Sequence, residues 1–226
     1  DYGVVPVENS TEGVVNHTLD SFLGSPAKIC GEVELRIHQH FLAAPDQKLE
    51  NIKRIYTHQQ SLAQCRKWLE SHWGNAEKIA VNSNAEAARR VKEEKDSAAI
   101  AGDMAAEQYQ LQVLTRNIED NPENTTRFLI IGNEEVPPSG RDKTSIVIAT
   151  KNQPGALYKI LAPFHNLGIS LTRIETRPAK VGNWSYVFFI DFEGHINDPI
   201  IQKLWQVLSN EVTDIRPLGS YPEAVL

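Results

Sequence analysis

The sequence has only two cysteines, Cys30 and Cys65, and they lack C-x-x-C spacing. That is too few for a disulfide framework, so both read as reduced core residues of a cytosolic protein. No apolar run approaches the roughly 20 residues of a membrane-spanning helix. The N-terminus also lacks the basic-then-apolar layout of a signal peptide. There is no excess of positive charge: 23 Lys and Arg against 29 Asp and Glu leave a net charge of −6. Such a balance exerts no long-range attraction on nucleic acid or an anionic membrane, and neither is expected as a partner. An anionic small molecule stays open, given a local cluster of donors. Also missing are a His/Cys/carboxylate cluster at metal-ligand spacing, a phosphate loop and a G-x-S-x-G elbow. No metal and no cofactor is expected.

What is present is an ordinary globular composition, 41% apolar and 23% charged, over 226 residues. At roughly 150 residues per domain that is one large domain or two smaller ones. The sharpest break is Asn133 to Lys143, NEEVPPSGRDK, a polar stretch with Pro137, Pro138 and Gly140 between two apolar strands. Paired prolines disfavour helix and remove backbone donors, so 137–143 reads as a linker between domains 1–136 and 144–226. Beyond it, Thr144–Thr150 is a β-branched strand, and Leu157, Ile160, Leu161, Phe164 and Leu167 recur at helical spacing up to Gly168. Pro163 interrupts that helix and predicts a local distortion. Strands Ile169–Arg177 and Tyr186–Phe192 follow, then a helix opened by Asp198 and Pro199, then strand Val212–Leu218. The order βαββαβ is the ferredoxin-like arrangement.

Upstream, strand-like pieces (Gly3–Val7, Ile29–Arg36, Arg54–Thr57, Lys78–Val81, Ala98–Ala101, Phe128–Ile131) alternate with helical ones, notably Ser61–Trp73 and Asn84–Lys95. Alternation predicts an α/β domain with a largely parallel sheet, whose ligands gather at the carboxyl ends of strands. Three polar clusters occupy such positions. Pro6 to Gly13 precedes an apolar stripe, and Ser10 or Thr11 there can cap a helix whose N-terminus would hold a carboxylate; a capped helix start accounts for the same residues with no ligand. Thr57 to Cys65 carries Thr57 and Gln64 as neutral donors and His58 as the one nearby group suited to proton transfer; a surface histidine is the plainer account of His58. Asn124 to Phe128 sets Thr125 and Thr126 beside Arg127, whose planar fork suits a carboxylate, although threonine is also common at strand starts.

Together the segments VENSTEG at 7–13, THQQSLAQC at 57–65 and NTTRF at 124–128 resemble the prephenate dehydratase family. Gly155-Ala156-Leu157 and Glu175-Thr176-Arg177-Pro178 resemble the Gly-Ala-Leu and Glu-Ser-Arg-Pro signatures of the regulatory ACT domain that follows in that family. Five motifs in order span the whole chain, most similar to proteobacterial members with a chorismate mutase domain fused upstream. Thr57, Gln59 and Thr176 replace the family's Ser, Pro and Ser without removing a needed hydroxyl. The family's opening Gly-Pro-x-Gly-Thr stretch does not precede Asp1, so the chain resembles a fragment without the start of its catalytic domain.

The resemblance implies a two-lobed catalytic domain, periplasmic-binding-protein-like and incomplete at its N-terminus, plus a ferredoxin-like ACT domain. It implies dehydration and decarboxylation of prephenate to phenylpyruvate in phenylalanine biosynthesis, in the cytoplasm. Arogenate dehydration and non-catalytic amino-acid sensing are the alternatives. Thr126 is expected to donate to the leaving oxygen; a threonine is a very weak acid, so hydrogen-bond stabilisation suits it better than full transfer. Asn9, Ser10 and Arg127 are expected to hold carboxylates, and Thr57 and Gln64 to orient the ring. L-Phenylalanine is expected as effector on Gly155, Ala156, Leu157, Glu175, Thr176, Arg177 and Pro178, in a homodimer or higher homo-oligomer.

Overall fold

The computed structural model describes residues 1–178 and 186–224, so 179–185 and 225–226 of the expected C-terminal domain lie outside the described residues. The chain opens with β1 (Gly3–Asn9), β2 (Gly13–Val14), α1 (Asn16–Gly24) and β3 (Lys28–Arg36). Next come β4 (His40–Ala43), β5 (Arg54–His58), α2 (Gln59–Gln64), α3 (Arg66–His72), β6 (Glu77–Val81), α4 (Asn84–Glu93), β7 (Ser97–Ala101), α5 (Asp103–Tyr109) and β8 (Gln112–Thr115). It continues with β9 (Thr125–Gly132), β10 (Asp142–Thr150), α6 (Ala156–Leu167), β11 (Leu171–Pro178), β12 (Tyr186–Glu193), α7 (Pro199–Glu211) and β13 (Asp214–Pro222). Two compact units result: Asp1–Leu35 with Thr126–Leu226, and Arg36–Thr125.

The first unit holds two four-stranded sheets, ordered β2-β1-β9-β3 and β11-β12-β10-β13. The second of these, with α6 and α7, is the βαββαβ arrangement expected from the sequence, with β10 antiparallel to both β12 and β13. Side chains alternate across a strand, and here both faces are covered. Ile146, Ile148, Phe188, Ile190 and Phe192 pack on Ile160, Phe164, Ile201, Leu204 and Leu208 of the two helices. On the other face Val147, Val187, Phe189, Leu218 and Tyr221 pack on Val7, Leu19, Phe22, Ile29 and Leu129 from the N-terminal segment and β9. Each large apolar side chain so buried contributes about 1.5–3 kcal/mol. The C-terminal domain is therefore sandwiched, with the N-terminal segment as its second layer.

Close approach fixes that seam. Gly219 of β13 has φ +158°, and a Cβ there would collide with the backbone carbonyl of Ile29 on β3. Only glycine lets the two backbones meet. Elsewhere, Gly168 caps α6 in the left-handed conformation at φ 66°. Pro163 lies inside α6, which continues through it with the proline ring buried. Asp198 is the residue before α7 as expected, with Pro199 at its start, but its carboxylate accepts from the His195 N–H at 2.8 Å in place of a helix N–H.

The second unit is built on one five-stranded sheet, β6-β5-β7-β4-β8. Its β5 runs parallel to β6 and β7, while β4 is antiparallel to β7 and β8. The expected largely parallel N-terminal sheet is thus two sheets, and β6 and β7, the parallel partners of β5, are linked to it through helical crossovers. The expected single helix over Ser61–Trp73 is two, broken at Cys65. Asp120 accepts hydrogen bonds from the Lys67 and Trp68 amides at 3.0 and 3.3 Å, which gives α3 its own start. Cys65 is fully buried, and burial followed by the nearby Asp120 and Glu119 pushes its thiol up to about 12.

Candidate functional site

In the first unit the VENS segment and the TTRF segment are neighbours. Strands β1 and β9 are antiparallel, with Asn9 opposite Thr126 and Glu8 opposite Arg127. The Asn9 side-chain amide donates to Thr126 Oγ1 at 2.8 Å, and both residues are buried. Asn9 Oδ1 accepts from the Thr11 and Glu12 amides at 2.9 and 3.1 Å, so the turn locks the amide orientation. A hydroxyl oxygen that accepts one hydrogen bond is polarised and donates its own hydrogen more strongly. The expected helix N-terminus at Asn9–Thr11 is absent: residues 9–13 form the tight turn from β1 to β2, and α1 starts at Asn16 with no side-chain cap. The turn uses the Asn9 carbonyl oxygen to satisfy its own amides, and Gly13 takes φ +82° to close it. Ser10 lies exposed at the turn's tip.

Arg127 sits in a buried network of strand residues. Its Nε donates to Glu32 Oε2 at 2.7 Å, Nη1 to Asp191 Oδ2 at 2.9 Å and Nη2 to the Tyr221 hydroxyl at 3.2 Å. Lys143 Nζ and the Ala224 amide complete Glu32 Oε1 at 2.8 and 2.9 Å, and Ser145 Oγ donates to Asp191 Oδ1 at 2.6 Å. Burial disfavours the guanidinium charge, but Asp191, Tyr221 and Glu32 more than offset it and the pKa is raised. Burial likewise opposes the charge on Glu32, yet Arg127 and Lys143 hold its carboxyl below the usual range. Each of the three guanidinium nitrogens donates to a partner on β3, β12 or β13, so Arg127 clamps those strands to β9.

In the second unit the predicted polar residues lie at the carboxyl end of β5. Thr57 is fully buried, its hydroxyl placed to donate to Ile100 O at 3.2 Å or Asn84 Oδ1 at 3.3 Å. It supports the cluster and offers no surface to a ligand. Asn84 in turn accepts from the His58 amide at 3.0 Å and donates to Ser61 Oγ at 2.8 Å. Gln64 Oε1 accepts from Gln39 Nε2 at 3.3 Å. His58 caps α2, accepting from the Gln60 amide at 3.4 Å. Sequence reasoning missed Gln39, Ser61 and Asn84. Asn84 opens α4 shortly after β6 ends at Val81, and its place in that strand-to-helix turn is the one signal that could have found it.

A hollow of about 300 Å³ in the C-terminal domain is lined by Thr150, Gly155, Leu157, Thr176, Tyr186 and Phe188, among others. Ala156 also lines it. Gly155 has φ +80° before α6, and a Cβ there would meet nothing within 4 Å, so backbone conformation is what requires glycine. Strand alternation divides the second effector motif. Thr176 and Pro178 share one face, while Glu175 and Arg177 share the opposite face with Arg173. Arg177 spends Nε and Nη2 on both carboxylate oxygens of Asp20, each at 3.0 Å, and Nη1 on Asn16 Oδ1 at 3.0 Å. Of that motif Thr176 lines the hollow, Glu175 and Arg177 lie on the opposite face of β11, and Pro178 shares the face of Thr176 without lining the hollow.

The sequence model of the prephenate dehydratase family matches residues 1–136, and that of the ACT domain residues 144–209. The bifunctional chorismate mutase/prephenate dehydratase of Pseudomonas aeruginosa is 62% identical over the whole chain, which spans 62% of that relative's length. A structure of prephenate dehydratase in complex with L-Phe from Arthrobacter aurescens superposes with a TM-score of 0.89 at 37% identity, over 98% of this chain and 75% of that one. A structure described as GqqA, a novel type of quorum quenching acylase, superposes with a TM-score of 0.90 at 32% identity, over 99% and 82%. With the family model over residues 1–136 and 62% identity to that relative, the chain belongs to the prephenate dehydratase family and carries an ACT domain.

Proposed function

We propose that the chain supplies the dehydratase and regulatory parts of a protein that converts prephenate into phenylpyruvate, carbon dioxide and water. The observation that carries this reading is the buried Asn9–Thr126 hydrogen bond, 2.8 Å long, between the two family segments. Aromatisation drives the reaction, so the task is to hold the dianion and assist hydroxide loss. Asn9 fixes and polarises Thr126 Oγ1, and the Thr126 O–H donates to the departing hydroxyl at C4 as the C1 carboxylate leaves as carbon dioxide. Ser10 contributes to carboxylate binding from the turn. Arg127 holds β9 in register behind Thr126. In the second unit Gln64, steadied by Gln39, orients the ring, with Thr57 supporting from beneath.

L-Phenylalanine is the proposed effector, held at the hollow lined by Gly155, Leu157 and Thr176 where two copies of the ACT domain pair. The solved relative in complex with L-Phe supports this choice. The deciding experiment is turnover of prephenate and arogenate in parallel, by the chain extended at its N-terminus with the family's opening segment. Prephenate is expected to be the better substrate. Arogenate preference would move the chain to the sister reaction, and no turnover of either with intact phenylalanine binding would make it a sensor. Calorimetry of the 226-residue chain with L-phenylalanine tests the effector separately.

A further inference from the structure

One strand touches both the effector hollow and the strand pair that carries Thr126. On one face of β11, Thr176 lines the hollow. On the other, Arg177 grips Asp20 of α1, and Arg173 lies between two carboxylates from different sheets. Arg173 Nε is 3.7 Å from Glu8 Oε2 on β1, and its Nη1 is 3.7 Å from Asp191 Oδ2 on β12. The side chain is only 7% exposed, and Nε and Nη2 have no hydrogen-bond partner. A buried guanidinium with unmade hydrogen bonds is costly, and closing onto either carboxylate relieves that cost.

Both destinations lead to the Thr126 strand. Glu8 precedes Asn9, whose amide holds Thr126, and Asp191 Oδ2 is the oxygen that accepts from Arg127, the residue after Thr126. Moving Arg173 from 3.7 Å to hydrogen-bonding distance of one carboxylate requires a shift of roughly 0.8 Å. A strand transmits such a shift along its length as a stiff rod, and a side chain with two discrete partners has the bistability that coupling needs.

The geometry points to Arg173 as the switch that couples the effector hollow to Thr126, with β11 as the rod between them. Effector against Thr176 displaces β11 so that Arg173 closes on Glu8. That contact draws Glu8 and Asn9 out of line and weakens the Asn9 hydrogen bond to Thr126. With Arg173 3.7 Å from both carboxylates the Asn9–Thr126 pair is kept. Differential contact in the two states is what lets a ligand shift the balance between them. This inference rests on the reading that L-phenylalanine occupies the hollow and slows prephenate turnover.

The test is Arg173→Gln in the N-terminally extended chain, with prephenate turnover and L-phenylalanine binding measured on the same protein. Basal turnover is expected within about threefold of wild type and phenylalanine affinity likewise. The inhibition curve should move at least about fivefold to higher phenylalanine, or vanish, as loss of a typical coupling free energy predicts. Arg173→Lys, which keeps the charge, should restore part of the response. Should Arg173→Gln not fold, Asp20→Asn, which loosens the Arg177 end of the same strand, is expected to blunt inhibition with binding retained. Inhibition of Arg173→Gln (or, in its place, Asp20→Asn) at wild-type phenylalanine concentrations would overturn the assignment. A wild-type protein that neither binds phenylalanine nor is inhibited by it would overturn the underlying effector reading and this switch with it.

Discussion

The two polar clusters are built from opposite chemistry. The seam around Arg127 is ionic: two carboxylates, a guanidinium and an ammonium, all deeply buried and completed by hydroxyls. The cluster around Asn84 is neutral, an amide and hydroxyl network of Thr57, Ser61, Gln39 and Gln64. A buried ion pair adds little net stability over a well-packed apolar substitute, yet losing one partner strands the other at high cost. A neutral network loses only the hydrogen bonds removed. The seam is therefore brittle and registers strands strictly, whereas the neutral cluster tolerates change.

Arg127→Met should break the comparison most sharply. It leaves Glu32 and Asp191 buried without their common partner, at about 3–5 kcal/mol. At roughly 2–4 °C per kcal/mol for a chain of this size, the expected loss in melting temperature is roughly 10 °C, read by calorimetry. A change under a few degrees would show that Lys143 and Arg173 can take over. Next comes Thr126→Val, with the fold kept and turnover of the N-terminally extended chain reduced about 10²–10³-fold, as for loss of one well-placed donor. Near-normal turnover would remove Thr126 from the chemistry.

On the neutral side, Asn84→Ala should cost about 1–3 kcal/mol, since the His58 amide and two hydroxyls lose a partner. Equal damage from Asn84→Ala and Arg127→Met would erase the distinction between the clusters. The smallest effect is the pH response. The folded-state pKa of Glu32 lies below its ordinary 4.5, so its stabilisation is complete above that value and is lost as pH falls through the lower folded pKa. Melting temperature should therefore fall less steeply below pH 4.5 in Glu32→Gln than in wild type. Parallel curves would mean that other carboxylates carry the acid sensitivity.

What could be read from the sequence, and what could not, follows from the range of the forces involved. The βαββαβ order was legible because its helices carry regular apolar spacing and its strands are long. Strand β4 escaped notice: its four residues are all buried, so no alternation marks them. The break at Cys65 was hidden because Asp120, the group that restarts the helix, lies more than fifty positions along the chain. Thr126 stood out through its motif, but nothing local says that Arg127 meets Glu32 and Asp191. Those partners lie 95 and 64 positions away. The effector motif was found as a block of four, whereas strand pleating sends its members to two faces.

Gly219 bears on how freely the pieces of this protein can be exchanged. Because β13 touches β3 backbone to backbone, a regulatory domain borrowed from a distant relative would fit here only if it brought a glycine at that place and a carboxylate where Asp191 stands. The boundary that an engineer would cut, in the proline-rich stretch before β10, is therefore not the boundary that decides compatibility. A workable chimera has to transplant the facing surfaces of β3 and β13 together, treating the two as one graft.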